Sequence, residues 1–255
     1  MWLQTLASVG MAVGPPLVYA DQFVSILRRK DSSGFSIDVC GVLIIANITR
    51  MFFWLGERFE LALLIQSVLM TLAQLALLYV CLRFKHDDPH APLSETSLTL
   101  KVARSTMLNR PLQFWQWPAY GAYIEFIAAY IIFLAVLFLA LGRFETFVAI
   151  LGFVALGLES TLPLPQLYIN WQRKSLAGFR TTVLLGWIFG DAFKTLYFFL
   201  QKGPISIQFK ICGIFQLSVD CLIAYQAWLY RENTRREYAD GQDEGLLRDP
   251  LGSTA

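Results

Sequence analysis

The stretch LPLPQLYINWQRKSLAGFRTTVLLGWIFGDAFKTLYF, residues 162–198, decides the fold because it repeats a pattern already present near the amino terminus. Sliding the chain on itself by 144 positions, without a gap, sets Asp21-Gln22 on Pro165-Gln166, Gly34-Phe35 on Gly178-Phe179, Asn47 on Asp191 and Arg50 on Lys194. In each copy an apolar helix ends near the glutamine and a short basic loop closes with Gly-Phe. The next helix then carries a polar residue three positions before a cation. Such self-similarity predicts one helical architecture built twice.

Working outward, composition names the solvent. Of 255 residues, 56% are hydrophobic and 16% charged, with mean hydropathy +0.50, so the chain has more apolar surface than a water-soluble fold hides and the excess faces lipid. Apolar runs of about 18 residues or more, enough to cross hydrocarbon at ~1.5 Å per residue, fall at 3–27, 36–56, 60–82, 120–141, 146–171, 181–200 and 208–230. The expectation is an all-α integral membrane protein of seven helices. The two copies begin on spans one and five, which enter from the same side, so they are parallel repeats. The predicted organisation is a first three-helix repeat (1–82), a partly disordered cytosolic linker (83–119), a linking transmembrane helix (120–141), a second three-helix repeat (142–230) and a cytosolic tail (231–255). The first span is read as a retained helix, because no basic segment precedes it and no small-residue cleavage site with a polar start follows it.

Lys and Arg flanking membrane helices are retained on the cytoplasmic side. Fifteen of them, from Arg28, Arg29 and Lys30 to Arg231, Arg235, Arg236 and Arg248, lie on the side of the carboxyl terminus; Arg58, Arg143, Lys202 and Lys210 lie on the other. The carboxyl terminus is therefore expected in the cytosol and the amino terminus in a lumen or outside.

Several chemistries find no support in the sequence. Cys40, Cys81, Cys212 and Cys221 fall in or at the ends of spans without metal-ligand spacing. The sequon Asn47-Ile48-Thr49 is buried in a span. No Walker loop, nucleophile elbow or metalloprotease motif occurs, and His86 and His90, flanked by Asp87, Asp88 and Pro89, read as solvated loop. No enzyme activity, cofactor, metal or nucleic-acid partner is expected. The aromatic run Phe114, Trp115, Trp117, Tyr120 and Tyr123 is expected to anchor the membrane interface before the fourth helix.

Function is read instead from ionisable groups inside spans, each of which costs a few kcal/mol or more in lipid unless paired or wet. Asp21, Arg50, Glu125, Glu159, Asp191, Lys194 and Asp220 fall in or near predicted helices, and their most economical arrangement is a polar cavity where the repeats meet. Asp191 and Lys194, three residues apart, share a helical face and can neutralise each other. Arg50, whose counterpart partner is Asn47, needs an anion: Glu159, Asp220, Glu125 or a lipid phosphate. Glu159, deep in the fifth span, is a candidate proton acceptor, and Asp220 shares a face with Gln216. Pro165 removes a backbone donor and marks a bend that Gln166 can support; Gln22 is its weaker counterpart. Asp21 and Glu125 are the weakest candidates, Glu125 because it stands near a helix end and can reach water.

With Leu162-Pro163-Leu164-Pro165-Gln166-Leu167-Tyr168 intact in the second copy and Asp21 in place of the motif's first proline in the other, the chain resembles the PQ-loop repeat membrane proteins over nearly its whole length. Within them Gly190-Asp191-Ala192-Phe193-Lys194-Thr195-Leu196-Tyr197-Phe198, Phe114-Trp115-Gln116-Trp117 and Asn47-Ile48-Thr49-Arg50 look most like the solute carrier 66 member 2 branch. That branch includes a yeast endosomal phospholipid scramblase that opposes aminophospholipid flippases. The resemblance implies ATP-independent movement of phospholipids such as phosphatidylserine and phosphatidylethanolamine between leaflets of Golgi and endosomal membranes, affecting traffic between them. Two alternatives stay open: a proton-coupled exporter of a small amino-acid-like solute from an endolysosomal lumen, and a trafficking receptor or scaffold without transport.

Overall fold

The structure, a computed structural model, describes residues 2–30, 32, 36–84, 114–177, 179, 181–201 and 205–248. The histidine pair, most of the 83–119 linker and the end of the tail lie outside them. Among the described residues every regular element is a helix: α1 (Trp2–Arg29), α2 (Ile37–Gly56), α3 (Leu61–Arg83), α4 (Tyr120–Leu141), α5 (Glu145–Ser160), α6 (Leu164–Arg173), α7 (Thr181–Leu200), α8 (Ile207–Leu229) and α9 (Arg231–Arg248). Six stretches combine the length and apolarity for a membrane crossing: α2, α3, α4, the α5–α6 pair, Val183–Leu200 and α8. α1 has ample length at 28 residues, but Pro15, Pro16, Asp21 and Gln22 thin its apolar content, so six spans meet the standard where seven are expected.

The span expected at 146–171 is two helices. α5 stops at Ser160 and α6 starts at Leu164, because Pro163 and Pro165 bring no N–H to continue the ladder. The chain turns on Thr161 N–H to the Gly157 carbonyl (3.0 Å) and Leu162 N–H to that of Glu159 (3.2 Å). α1, with Asp21 at the equivalent of Pro165, runs unbroken through Pro15 and Pro16. The copies agree again nine residues further on. Lys30 (φ 53°) and Lys174 (φ 51°), also 144 positions apart, both adopt the left-handed conformation that stops a helix.

The chain forms two compact units, residues 1–162 with 194–214 and residues 163–193 with 215–255. In the first, α3 packs against both α1 and α2, α4 against α2 and α3, and α5 against α2. Small residues set the α2–α5 approach, as lipid-embedded helices require when no water drives them together. A Cβ on Gly56 would stand 2.6 Å from Val148 Cγ2, and one on Gly152 2.7 Å from Phe53 Cζ. These contacts pair rising numbers on α2 with falling numbers on α5, so the two helices are antiparallel. Phe53, Phe59, Phe198 and Phe209 interlock beyond them, with ring centroids 4.9–6.1 Å apart, and bring the ends of α7 and α8 into the same core.

The aromatic run before α4 is only partly an interfacial anchor. Phe114 is exposed, but Trp115 and Tyr123 are buried. Trp115 lies flat on Gly41, where a Cβ would come within 2.5 Å of its ring, and its Nε1–H donates to the Ile37 carbonyl (3.0 Å). In the second unit Leu176, Leu184, Val219 and Ile223 form the core, and Gln226 Nε2 of α8 donates to the Leu167 carbonyl of α6 (3.0 Å). Much of the 231–255 tail is helical as α9.

Candidate functional site

Continuing along the antiparallel α2–α5 pair, one turn past Phe53 on α2 and about two turns past Gly152 on α5, brings Arg50 to Glu159. Arg50 is 1% exposed, and its guanidinium pairs with the Glu159 carboxylate. The second oxygen of that carboxylate accepts Lys194 Nζ of α7 at 2.9 Å. Three helices thus meet on one carboxylate, with side-chain exposures of 2% for Arg50 and 13% for Glu159 and Lys194. A buried charge persists only when it is paired and hydrogen-bonded. Here one anion serves two cations, and it stands on the last turn of α5 just before the proline break.

Around this centre α2 is polar on its buried side. Asn47 Nδ2 donates back to the Leu43 carbonyl (2.8 Å), so this buried amide is satisfied within its own helix. Thr49 bonds to the Ile45 carbonyl (2.7 Å) and exchanges a hydrogen bond with Tyr130 of α4 (2.7 Å).

A second cluster in the same unit carries no sequence signal except burial in the fold. Tyr197 of α7 donates its hydroxyl hydrogen to Glu60, the residue that precedes α3, and Ser8 of α1 donates to the other oxygen of Glu60 (2.7 Å). α1, α3 and α7 are thereby tied through one carboxylate. Single Ser, Glu and Tyr residues near helix ends are too common for sequence reading to join them.

The remaining expected residues divide. In the second unit Gln216 Nε2 donates to Asp191 Oδ2 (2.9 Å), Asp220 is fully buried on α8, and Gln166 Nε2 donates to Asn170 Oδ1 (2.7 Å). Pro165 is exposed and Gln22 half-buried. Asp21 and Glu125 are exposed. Among the described residues no group of three His, Cys, Asp or Glu side chains has metal-binding geometry, and the four cysteines are free.

An all-helical chain with a repeated sequence pattern, several helices long and apolar enough to cross a membrane and a charge cluster buried among them, defines a multi-pass membrane protein. The PQ loop repeat profile matches residues 19–63 and 147–207, one match on each copy, so the chain carries two PQ loop repeats. It is similar to Scramblase ANY1 of Saccharomyces cerevisiae, 26% identical over 291 aligned residues that span 90% of this chain and 72% of the yeast protein.

Proposed function

We propose that this chain is a phospholipid scramblase. It equilibrates aminophospholipids such as phosphatidylserine and phosphatidylethanolamine between the leaflets of Golgi and endosomal membranes without ATP, against the action of flippases. The observation that carries this reading is the buried Glu159 carboxylate shared by Arg50 and Lys194. A headgroup phosphate is chemically equivalent to that carboxylate as a partner for a guanidinium and an ammonium. A phosphate arriving from either leaflet therefore exchanges with Glu159 at one cation while the other keeps the carboxylate, and no unpaired charge forms in hydrocarbon at any step. The similarity to a yeast protein named as a scramblase points the same way. In this reading α1 is the seventh span, the amino terminus is lumenal, and the bundle is three helices, one linker helix and three helices.

The test is leaflet exchange of fluorescent phosphatidylserine and phosphatidylcholine in liposomes holding purified protein, without nucleotide or gradient. The informative variant is Lys194→Gln, which leaves Arg50 and Glu159 as a balanced pair and so keeps the fold. Exchange well above that of empty liposomes, and slowed about tenfold or more in Lys194→Gln, is expected for the loss of one charge-assisted bond to phosphate. Exchange equal to empty liposomes refutes the proposal. Uptake of an amino acid driven by a proton gradient would then favour the exporter, with Glu159 as the proton site.

A further inference from the structure

The second unit holds a pocket of about 380 Å³ where α8 passes into α9, and neither the ion cluster nor the repeat accounts for it. Its floor is apolar: Leu176, Phe179, Leu184 and Ala227. Its rim is basic: Arg231 and Arg235, one helical turn apart on α9 and so on one face. Volume and make-up suit a small amphiphile, since ligand pockets are mostly apolar with a few placed polar groups.

The charge at the rim is not used up by the protein. Arg231 reaches Glu232 only at 3.9 Å, with both side chains more than 60% exposed, and no carboxylate among the described residues lies within ion-pair distance of Arg235. Arg173 on the neighbouring α6 is by contrast committed to Glu237. Thr234, between the two rim arginines, is occupied: it accepts the Leu176 N–H (3.0 Å) and donates to the Tyr230 carbonyl (3.0 Å), which fixes one wall of the pocket.

The pocket lies at the level of a membrane boundary. Tyr225 and Trp228 on α8 form an exposed aromatic pair 6.0 Å apart just before it, and Tyr168 and Trp171 on α6 form another, 6.1 Å apart, with Lys174 Nζ 4.8 Å from the Trp171 ring. Exposed Trp and Tyr at helix ends, followed by basic residues, mark the headgroup layer. A ligand here meets arginines on its polar side and aliphatic and aromatic side chains below.

We infer that this pocket binds an anionic phospholipid, its headgroup phosphate between Arg231 and Arg235 and its glycerol and upper acyl carbons over Leu176, Phe179 and Leu184. The site is separate from Arg50, Glu159 and Lys194, and the inference holds whether or not the chain scrambles lipid. Because Thr234 and Glu237 also hold the loop at residues 173–176, an occupied pocket braces the segment that follows the Pro165-Gln166 motif.

The test is native mass spectrometry of the full-length detergent-solubilised protein with dioctanoyl phosphatidylserine, dioctanoyl phosphatidylcholine or inorganic phosphate. Phosphatidylserine is expected to be retained at least fivefold better than phosphatidylcholine, and Arg231→Gln/Arg235→Gln to lower that retention roughly twenty-five-fold, about fivefold per arginine. Ala227→Phe, which fills the floor without changing charge, lowers it too. Arg236→Gln, the same charge change outside the lining, leaves it intact. Equal retention of the two lipids by the unaltered protein overturns the inference without any variant. So does an Arg236→Gln loss equal to that of the double variant, which would mean diffuse attraction. Displacement of phosphatidylserine by equimolar inorganic phosphate overturns it as well, in favour of a free-anion site.

Discussion

Glu159→Gln is the perturbation that bears most directly on the ion cluster. The change keeps the side chain's shape but removes the one carboxylate that, among the described residues, pairs with Arg50, a side chain 2% exposed. Breaking a buried ion pair from one side costs about 3–5 kcal/mol, because the surviving charge stays buried without compensation. Lys194 is cushioned: Asp191 stands one turn away on the same helix, and a lysine's flexible stem lets its ammonium seek water. Most of the loss therefore falls on Arg50, and ~3–4 kcal/mol is expected for Glu159→Gln. Arg50→Gln/Glu159→Gln removes the stranded guanidinium together with its partner and should recover roughly 2 kcal/mol of that loss, a coupling of the size seen for residues in direct contact. The order of stability is thus the unaltered protein, then the double variant, then Glu159→Gln. Tryptophan fluorescence during unfolding of the purified protein in mixed micelles reads it directly. A double variant less stable than Glu159→Gln alone, by the full cost of Arg50→Gln, would refute the reasoning, since it would mean the two side chains act independently.

Three further outcomes follow from separate contacts. Gly41→Leu places its Cβ where the Trp115 ring now lies, 2.5 Å away, and should cost ~1–3 kcal/mol through overpacking, with a red-shifted tryptophan emission as Trp115 leaves the core. Tyr197→Phe removes the hydroxyl that serves Glu60 while Ser8 still donates to that carboxylate; a loss of about 1.5 kcal/mol in the unfolding midpoint is expected, and no loss would mean the α1–α3–α7 tie is ornamental. Lys30→Gly relieves a left-handed backbone at φ 53°, so the midpoint should rise by ~0.5–1 kcal/mol, the reverse of what glycine does elsewhere in a helical protein.

How much of this was legible in the sequence depends on whether periodicity or tertiary contact carried the information. The helices were legible because hydrocarbon imposes both length and apolarity, and Ile37–Gly56, Leu61–Arg83, Tyr120–Leu141 and Ile207–Leu229 fall within a few residues of the expected spans. α1 is the marginal case, since a helix carrying Pro15, Pro16, Asp21 and Gln22 satisfies length better than hydropathy. The break at Thr161–Pro163 was half legible: proline chemistry marks a bend, but whether two prolines bend or end a helix depends on what the freed carbonyls find nearby. Arg50 called for an anion in sequence, and four candidates stood open. Only the close approach allowed by Gly56 and Gly152 selects Glu159 among them. Trp115 departs from its expected interfacial position for the same kind of reason. Tryptophan beside a membrane helix ordinarily faces headgroups, and a glycine 74 positions earlier draws this one inside.

The repeat explains why the ion cluster has an odd number of charges. Arg50 and Lys194 are equivalents, 144 positions apart, each three residues after a polar group that its own helix carries. A duplicated bundle brings such equivalents towards a shared axis, where two cations alone would repel. A second carboxylate would balance the two cations in full, whereas a single one leaves the cluster with an excess of positive charge. The chain supplies one: Glu159 stands in the second copy, and its equivalent position in the first is Pro15. Symmetry therefore brings the cations together, and the departure from symmetry gives both of them one carboxylate to share. A second departure, Pro163 and Pro165 where the first copy has Tyr19 and Asp21, ends α5 just beyond Glu159, while α1 continues past Pro15 without a break. The carboxylate thus sits on the less continuous of the two equivalent helices, so a shift of the Thr161–Pro163 turn moves Glu159 relative to two cations held on unbroken ones. In a membrane, where releasing a cation from its partner is costly, this is the arrangement that lets one charge move while two stay fixed.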